Sequence, residues 1–144
     1  MKILRIIASV AGILALAVVA TVGVVGAQST PTAGAVAAQI ADPAIQADMM
    51  IDMTKRPAPA GGIGRDQAEG IASAWLGRSD SAAVVTYGSG RVTAQDAPTP
   101  AWIVIFAGGQ HPLHSDGSVT LQFIGVVIDD GGNVLRTFGR GHQN

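Results

Sequence analysis

Pro100-Ala101-Trp102-Ile103-Val104-Ile105-Phe106 is the stretch whose reading decides the fold. Five consecutive large apolar residues, Trp102 to Phe106, sit between Pro100 and the Gly108-Gly109 pair. Branched and aromatic side chains pack well on a pleated surface, and Pro and Gly interrupt pairing, so the stretch reads as a strand. Side chains alternate along a strand, so Trp102, Val104 and Phe106 share one face and Ile103 and Ile105 the other. Both faces are apolar. The strand is therefore expected to be central, under a helix on one side and at least partly covered on the other.

Working outward, the chain has 144 residues, enough for one domain plus accessory segments. A net charge of −1 and only 13% charged residues leave no field to recruit nucleic acid. There is no cysteine, which excludes disulfide staples, thiol catalysis and a lipidated-cysteine anchor.

Residues 1–27 have the layout of an export signal: Lys2 and Arg5, then an uncharged run over 6–27 whose only polar side chains are Ser9 and Thr21. Val25-Gly26-Ala27 puts a small residue at a cleavage position before Gln28. The run of roughly 22 residues spans about 33 Å, enough for a bilayer core of about 30 Å. Uncleaved anchor and cleaved signal both stand. On either reading Lys2 and Arg5 stay cytoplasmic and everything after Gln28 is outside. The competing plain reading is a buried helix of a soluble protein.

Residues 28–62 are rich in Ala, Pro, Gly and Thr and read as a tether. Within it Asp42-Pro43 is a good helix start, and Ile45, Met49 and Met53 make one narrow stripe of a short helix over 43–55. Pro57-Ala58-Pro59-Ala60-Gly61-Gly62 marks the domain boundary. A helix over 63–76 follows, with Gly64 as N-cap, Gln67 closing a capping box and Gly77 as the stop. Ala68, Ile71, Ala72 and Trp75 form its expected buried face. Trp75 is expected to pack against Trp102.

The pattern then changes to period two. Residues 82–87 read as a strand with a kink at Gly88-Ser89-Gly90 and a continuation over 91–93. Residues 108–117 read as a loop and 118–129 as a long strand, with a change of phase at Gly125. Asp129-Asp130-Gly131-Gly132-Asn133 is a tight turn, and 134–138 return as the last strand. The tail, 139–144, is polar and expected to fray. The fold class is thus α+β: one N-terminal helix on a three- to four-stranded antiparallel β-meander, preceded by a single hydrophobic signal or anchor helix.

Three motifs then share a family pattern. Ile63-Gly64-Arg65-Asp66-Gln67-Ala68-Glu69-Gly70-Ile71-Ala72 is similar to the helix opening of PepSY-like domains. Residues 100–106 resemble that family's central Trp-x-Val-x-Phe strand. Val126-Val127-Ile128-Asp129 with Val134-Leu135 resembles its closing hairpin. The resemblance covers residues 63–138. Gly64 stands where the family usually has Ser or Thr, and the loop over 108–117 is long for it. Cystatin-like folds share the helix-plus-meander order. The resemblance implies a non-catalytic extracytoplasmic module that binds or restrains proteases.

One constellation invites chemistry, His111-Pro112-Leu113-His114-Ser115-Asp116. His111, His114 and Asp116 are an available donor set for a divalent metal. One loop preorganises ligands poorly, however, and the plain reading is an exposed hairpin loop. Ser115 with Asp116 and a histidine cannot form a triad, since adjacent residues do not reach one another as a triad must. The run 129–133 lacks the alternating oxygens of a calcium loop, and Gly61-Gly62-Ile63-Gly64 is not a phosphate loop. Arginines 65, 78, 91, 136 and 140 look scattered among acids.

The expectation is a protein without enzymatic activity, cofactor or nucleic-acid partner. It is held in the membrane through 6–27 or secreted after Ala27, and it binds another envelope or secreted protein, a protease among the candidates. The route is an exposed sheet edge or the loop over 108–117. The alternatives are a metal-binding envelope protein using His111, His114 and Asp116, and a purely structural envelope module.

Overall fold

A computed structural model describes residues 31–112 and 118–143. At its centre is β3 (Thr99–Ala107), in which every residue from Ala101 to Phe106 is buried. Ala101, Ile103 and Ile105 enter one core, and Trp102, Val104 and Phe106 the other. The alternation read from the sequence is observed.

The strand pairs antiparallel on both edges. On one side lies β2 (Val84–Gly90), in register Val84 to Ile105 through Gly90 to Thr99. Beyond it is the two-residue β1 (Ile51–Asp52). On the other side lies β5 (Ser118–Ile128), which also pairs with β4 (Gln110–Pro112) and with β6 (Val134–Gln143). Since β6 occupies one edge of β5 over almost its whole length, β3 and β4 must share the other. They are one rung broken at Gly108-Gly109, both at positive φ (65° and 128°). Arg78 braces the break. It donates to the carbonyls of Gly108 (2.9 Å) and Ala107 (2.8 Å), pairs with Asp80 through two 2.6 Å bonds, and lies over the Phe106 ring.

The result is an antiparallel half-barrel of five rungs with a few short helices. It corrects the expected single helix on a three- to four-stranded meander. The extra pieces come from the segment read as a tether. That segment forms α1 (Ala33–Ile40), α2 (Pro43–Asp48) and β1. Thr32 caps α1 and Asp42 caps α2, with Pro43 next to it as expected. Val36 and Ile40, one turn apart, are fully buried against Ile103, Ile105, Phe123, Val127 and Phe138. Gln39 bonds Gln122 across the same interface at 3.0 Å. Ala-rich composition looks like a tether because Ala favours helix without signalling what the helix covers; two large apolar residues at i, i+4 suffice to dock it. The stripe Ile45, Met49 and Met53 also packs on this core. The helix itself stops at Asp48, because Met50 turns left-handed (φ 54°) and the chain enters β1.

The opposite face carries α3 (Arg65–Leu76), built as its sequence indicates. Gly64 N–H donates to Gln67 Oε1 at 2.8 Å, and Gly77 closes the helix in the left-handed region. Ala68 and Ala72 are fully buried and seat the helix closely on Trp102, Val104, Phe106, Val126 and Ile128. Trp75 does not join them. It is 62% exposed, and Trp102 instead meets Tyr87 edge to face at 5.3 Å.

Three further expectations change. The phase shift of β5 lies between Leu121 and Phe123, while Gly125 stays in step. Gly125 faces Phe138, whose ring would lie 2.2 Å from a Cβ there. The sequence Gly88-Ser89-Gly90 does not kink but completes β2, which ends before residue 91. The stretch 139–143 is not frayed but extends β6. The apolar run 1–27, read as a signal or anchor helix, lies outside the described residues. Among the described residues no helix is long and apolar enough to cross a membrane.

Two substitutions check these cores. Ile40→Ala is expected to lower unfolding free energy by about 2–4 kcal/mol in urea denaturation, as for a core aliphatic; a tether residue would change it by less than about 0.5 kcal/mol. Gly125→Ala is expected to cost about 1–3 kcal/mol through overpacking against Phe138, and a Phe138→Leu background should recover part of that loss.

Candidate functional site

The histidine loop is only partly described. His111 belongs to β4, its backbone in register with Val119. His114, Ser115 and Asp116 lie in residues 113–117, outside the described residues. Among the described residues no three His, Cys, Asp or Glu side chains group as metal ligands.

The acidic turn is occupied by its own hydrogen bonds. Asp129 accepts from the backbone N–H of Gly131 (2.9 Å) and Asn133 (2.8 Å) and from the Asn133 side chain, which together hold its carboxyl below the usual range. Next to it, Asp130 accepts from the Tyr87 hydroxyl at 2.5 Å. The same stretch receives the chain before α3: Ile63 N–H donates to the Asp130 carbonyl, and Trp102 Nε1 donates to the Ile63 carbonyl. These bonds tie β2, β3, the β5–β6 turn and the start of α3 into one clasp. Its role is architectural.

A cleft of about 450 Å³ opens where α2 and β1 meet the end of β2. Arg56 and Arg91 line it with Asp52, Met50 and the buried Ser89. Its charges are engaged locally. Arg56 lies 3.9 Å from Asp52, and Arg91 reaches the Ala94 carbonyl.

The two sheet edges differ sharply. Beyond β2, Ile51 and Asp52 pair as β1, and Arg56 N–H then donates to the Tyr87 carbonyl, so that edge is covered from Tyr87 to Gly90. At the other end β6 runs ten residues, and among the described residues β5 is the one strand paired with it. The direction of its peptide groups follows from the ladder. Gly108 N–H donates to the Gln122 carbonyl, so Gln122, Ile124, Val126 and Ile128 turn their peptide groups toward β3. Phe123, Gly125 and Val127 therefore turn theirs toward β6, where they meet Arg140, Phe138 and Arg136. Between these, Thr137 and Gly139 present N–H and C=O outward, and both residues are exposed. Trp75 stands beside this edge, its Nε1 donating to Thr137 Oγ1 at 3.1 Å. A row of outward peptide groups next to an exposed indole is a template for an added strand.

Arg136 and Arg140 flank those groups. Their β5 partners Val127 and Phe123 lie in the α1–α2 core, so both arginines sit on that face. Arg136 donates to the Met49 carbonyl and covers the Phe138 ring, and burial pulls its guanidinium below the usual range. Among the described residues neither arginine has a carboxylate partner. Treating the arginines as scattered missed this pair. The available signal was their spacing of four within one strand, which puts both on one face.

No family model, curated protein or solved structure matches this chain.

The clasp yields a pH prediction. Burial, reinforced by the Asp130 bond, pushes the Tyr87 phenol up to about 12 from 10.0. The folded chain thus favours the neutral phenol, so its contribution is complete below pH 10 and is lost as pH rises toward 12. Tyr87 is the only tyrosine, so tyrosinate absorbance reports it alone. Tyr87→Phe is expected to lower stability by about 1–2 kcal/mol at neutral pH and to remove that part of the alkaline decline in a urea-melt series.

Proposed function

We propose that this chain is a non-catalytic extracytoplasmic module, membrane-held or secreted, that binds another envelope or secreted protein by adding one of its strands to β6. The observation that carries this reading is the ten-residue strand β6, paired on one side only among the described residues, with Thr137 and Gly139 turned outward beside an exposed Trp75. Native sheets usually blunt such an edge by shortening, covering or kinking it. Among the described residues the opposite edge is covered from Tyr87 to Gly90 and this one stays long.

The extracytoplasmic placement rests on the basic start and apolar run of residues 1–27. Restraint of a protease fits the geometry, because a protease engages extended chains, and it agrees with the resemblance over 63–138. Tyr87, Asp130 and Arg78 are engaged in the clasp and the brace, which supports a binding role over a catalytic one.

The test is affinity capture with the full chain in mild detergent, against native envelope and secreted fractions. It is run for the wild type and for Thr137→Pro, which removes an outward donor and leaves the β5 ladder in place. Capture of a defined protein by the wild type, reduced at least ten-fold by the variant at similar melting temperature, is the expected result. A purified captured protease should lose activity in the presence of the chain. Identical capture by both forms, or none by either, rules out the edge.

A further inference from the structure

The β6 edge carries a chemical preference, and the inference rests on the edge reading above. From Ser118 to Ile128 the neighbouring β5 has no charged residue, and β6 itself carries Arg136 and Arg140 and no acid. Both arginines lie on the α1–α2 face, four residues apart, with Phe138 buried between them. Arg140 is exposed. Arg136 is partly buried, bonded to a neutral carbonyl, with its Nε buried and lacking an acceptor. On the opposite face, Thr137 and Gly139 lie against Val126 and Ile124, with the Trp75 indole beside Thr137.

We infer that the edge selects an extended segment of a partner protein with the pattern carboxylate, apolar, any, apolar, carboxylate. A strand bonded to the outward groups of Thr137 and Gly139 places residues directly opposite Arg136 and Arg140 on the α1–α2 face. Cross-strand pairs there stand about 4.5–5.5 Å apart at Cβ, within ion-pair reach. The two intervening positions that face Trp75 take apolar side chains, sheltered by the indole and, above Gly139, free of any side chain from β6. A second copy of this chain is opposed in the register centred on Phe138. Two β6 strands related by a two-fold axis through Phe138 would set Arg136 of one copy against Arg140 of the other, and like charges directly opposite repel.

The test uses the full chain in detergent and three synthetic peptides. The first is Thr-Glu-Val-Thr-Val-Glu-Thr, the second has Gln for both Glu, and the third is the first with alternate backbone amides methylated. Readouts are Trp75 fluorescence, taken as the difference from a Trp75→Phe variant, and amide exchange at Thr137 and Gly139. The acidic peptide is expected to slow exchange at both amides and to bind roughly three- to ten-fold more tightly than the Gln peptide. Arg140→Gln should erase most of that difference, and rising salt should shrink it. The methylated peptide should not bind. If the acidic and Gln peptides bind alike, the charge selection is wrong and the edge reading survives. If no peptide protects Thr137 or Gly139, both are wrong. If protection instead grows with protein concentration alone, the edge pairs with a second copy, and the inference is overturned.

Discussion

The double burial of β3 is the constraint on which the rest of the structure depends. A strand with Ala101, Ile103 and Ile105 on one face and Trp102, Val104 and Phe106 on the other cannot leave either side to water. One face takes α3, which approaches closely because Ala68 and Ala72 present almost no side chain. The other needs cover that the 63–138 unit does not supply, and α1 with α2 provides it. The Ala-rich segment before the domain is therefore one wall of its core.

Closing the sheet around two cores bends it, and the irregularities sit where the bending requires them. The break at Gly108-Gly109, held by Arg78, separates β3 from β4. The bulge before Phe123 brings that ring into the α1–α2 core, where it meets Phe138 edge to face at 6.5 Å. Gly125 yields its side-chain space to Phe138, and the ring in turn fills the gap the glycine leaves. One edge of the curved sheet ends under β1 and the strap before α3. The other ends in β6, where nothing further along the described chain returns to pair with it.

That asymmetry is what the proposed function rests on. Strand addition needs outward peptide groups, a surface beside them to shelter side chains, and a means of selecting partners. On the proposed reading Thr137 and Gly139 provide the first, Trp75 the second and Arg136 with Arg140 the third. Trp75 is exposed near the end of α3, where its indole reaches Thr137 on β6 instead of the core. The helical period placed it on the buried stripe, but the packing of the helix on the sheet decides whether such a position is covered.

What was legible in the sequence is what local physics controls. The central strand and its two faces, the capped α3 with its Gly77 stop, the Asp42-Pro43 helix start and the 129–133 turn all follow from neighbours within a few residues. Side-chain alternation, capping and turn chemistry act over that range. The tertiary structure alone decided the rest: that α1 is core and not tether, that the β5 bulge precedes Phe123, that β6 continues to Gln143, and that Trp75 stays outside. Each of these depends on a partner distant in the chain, such as Gln39 with Gln122 or Gly125 with Phe138, and no local propensity encodes such a meeting. The candidate edge belongs to the second group for the same reason. A strand is an edge only by virtue of what fails to pair beside it.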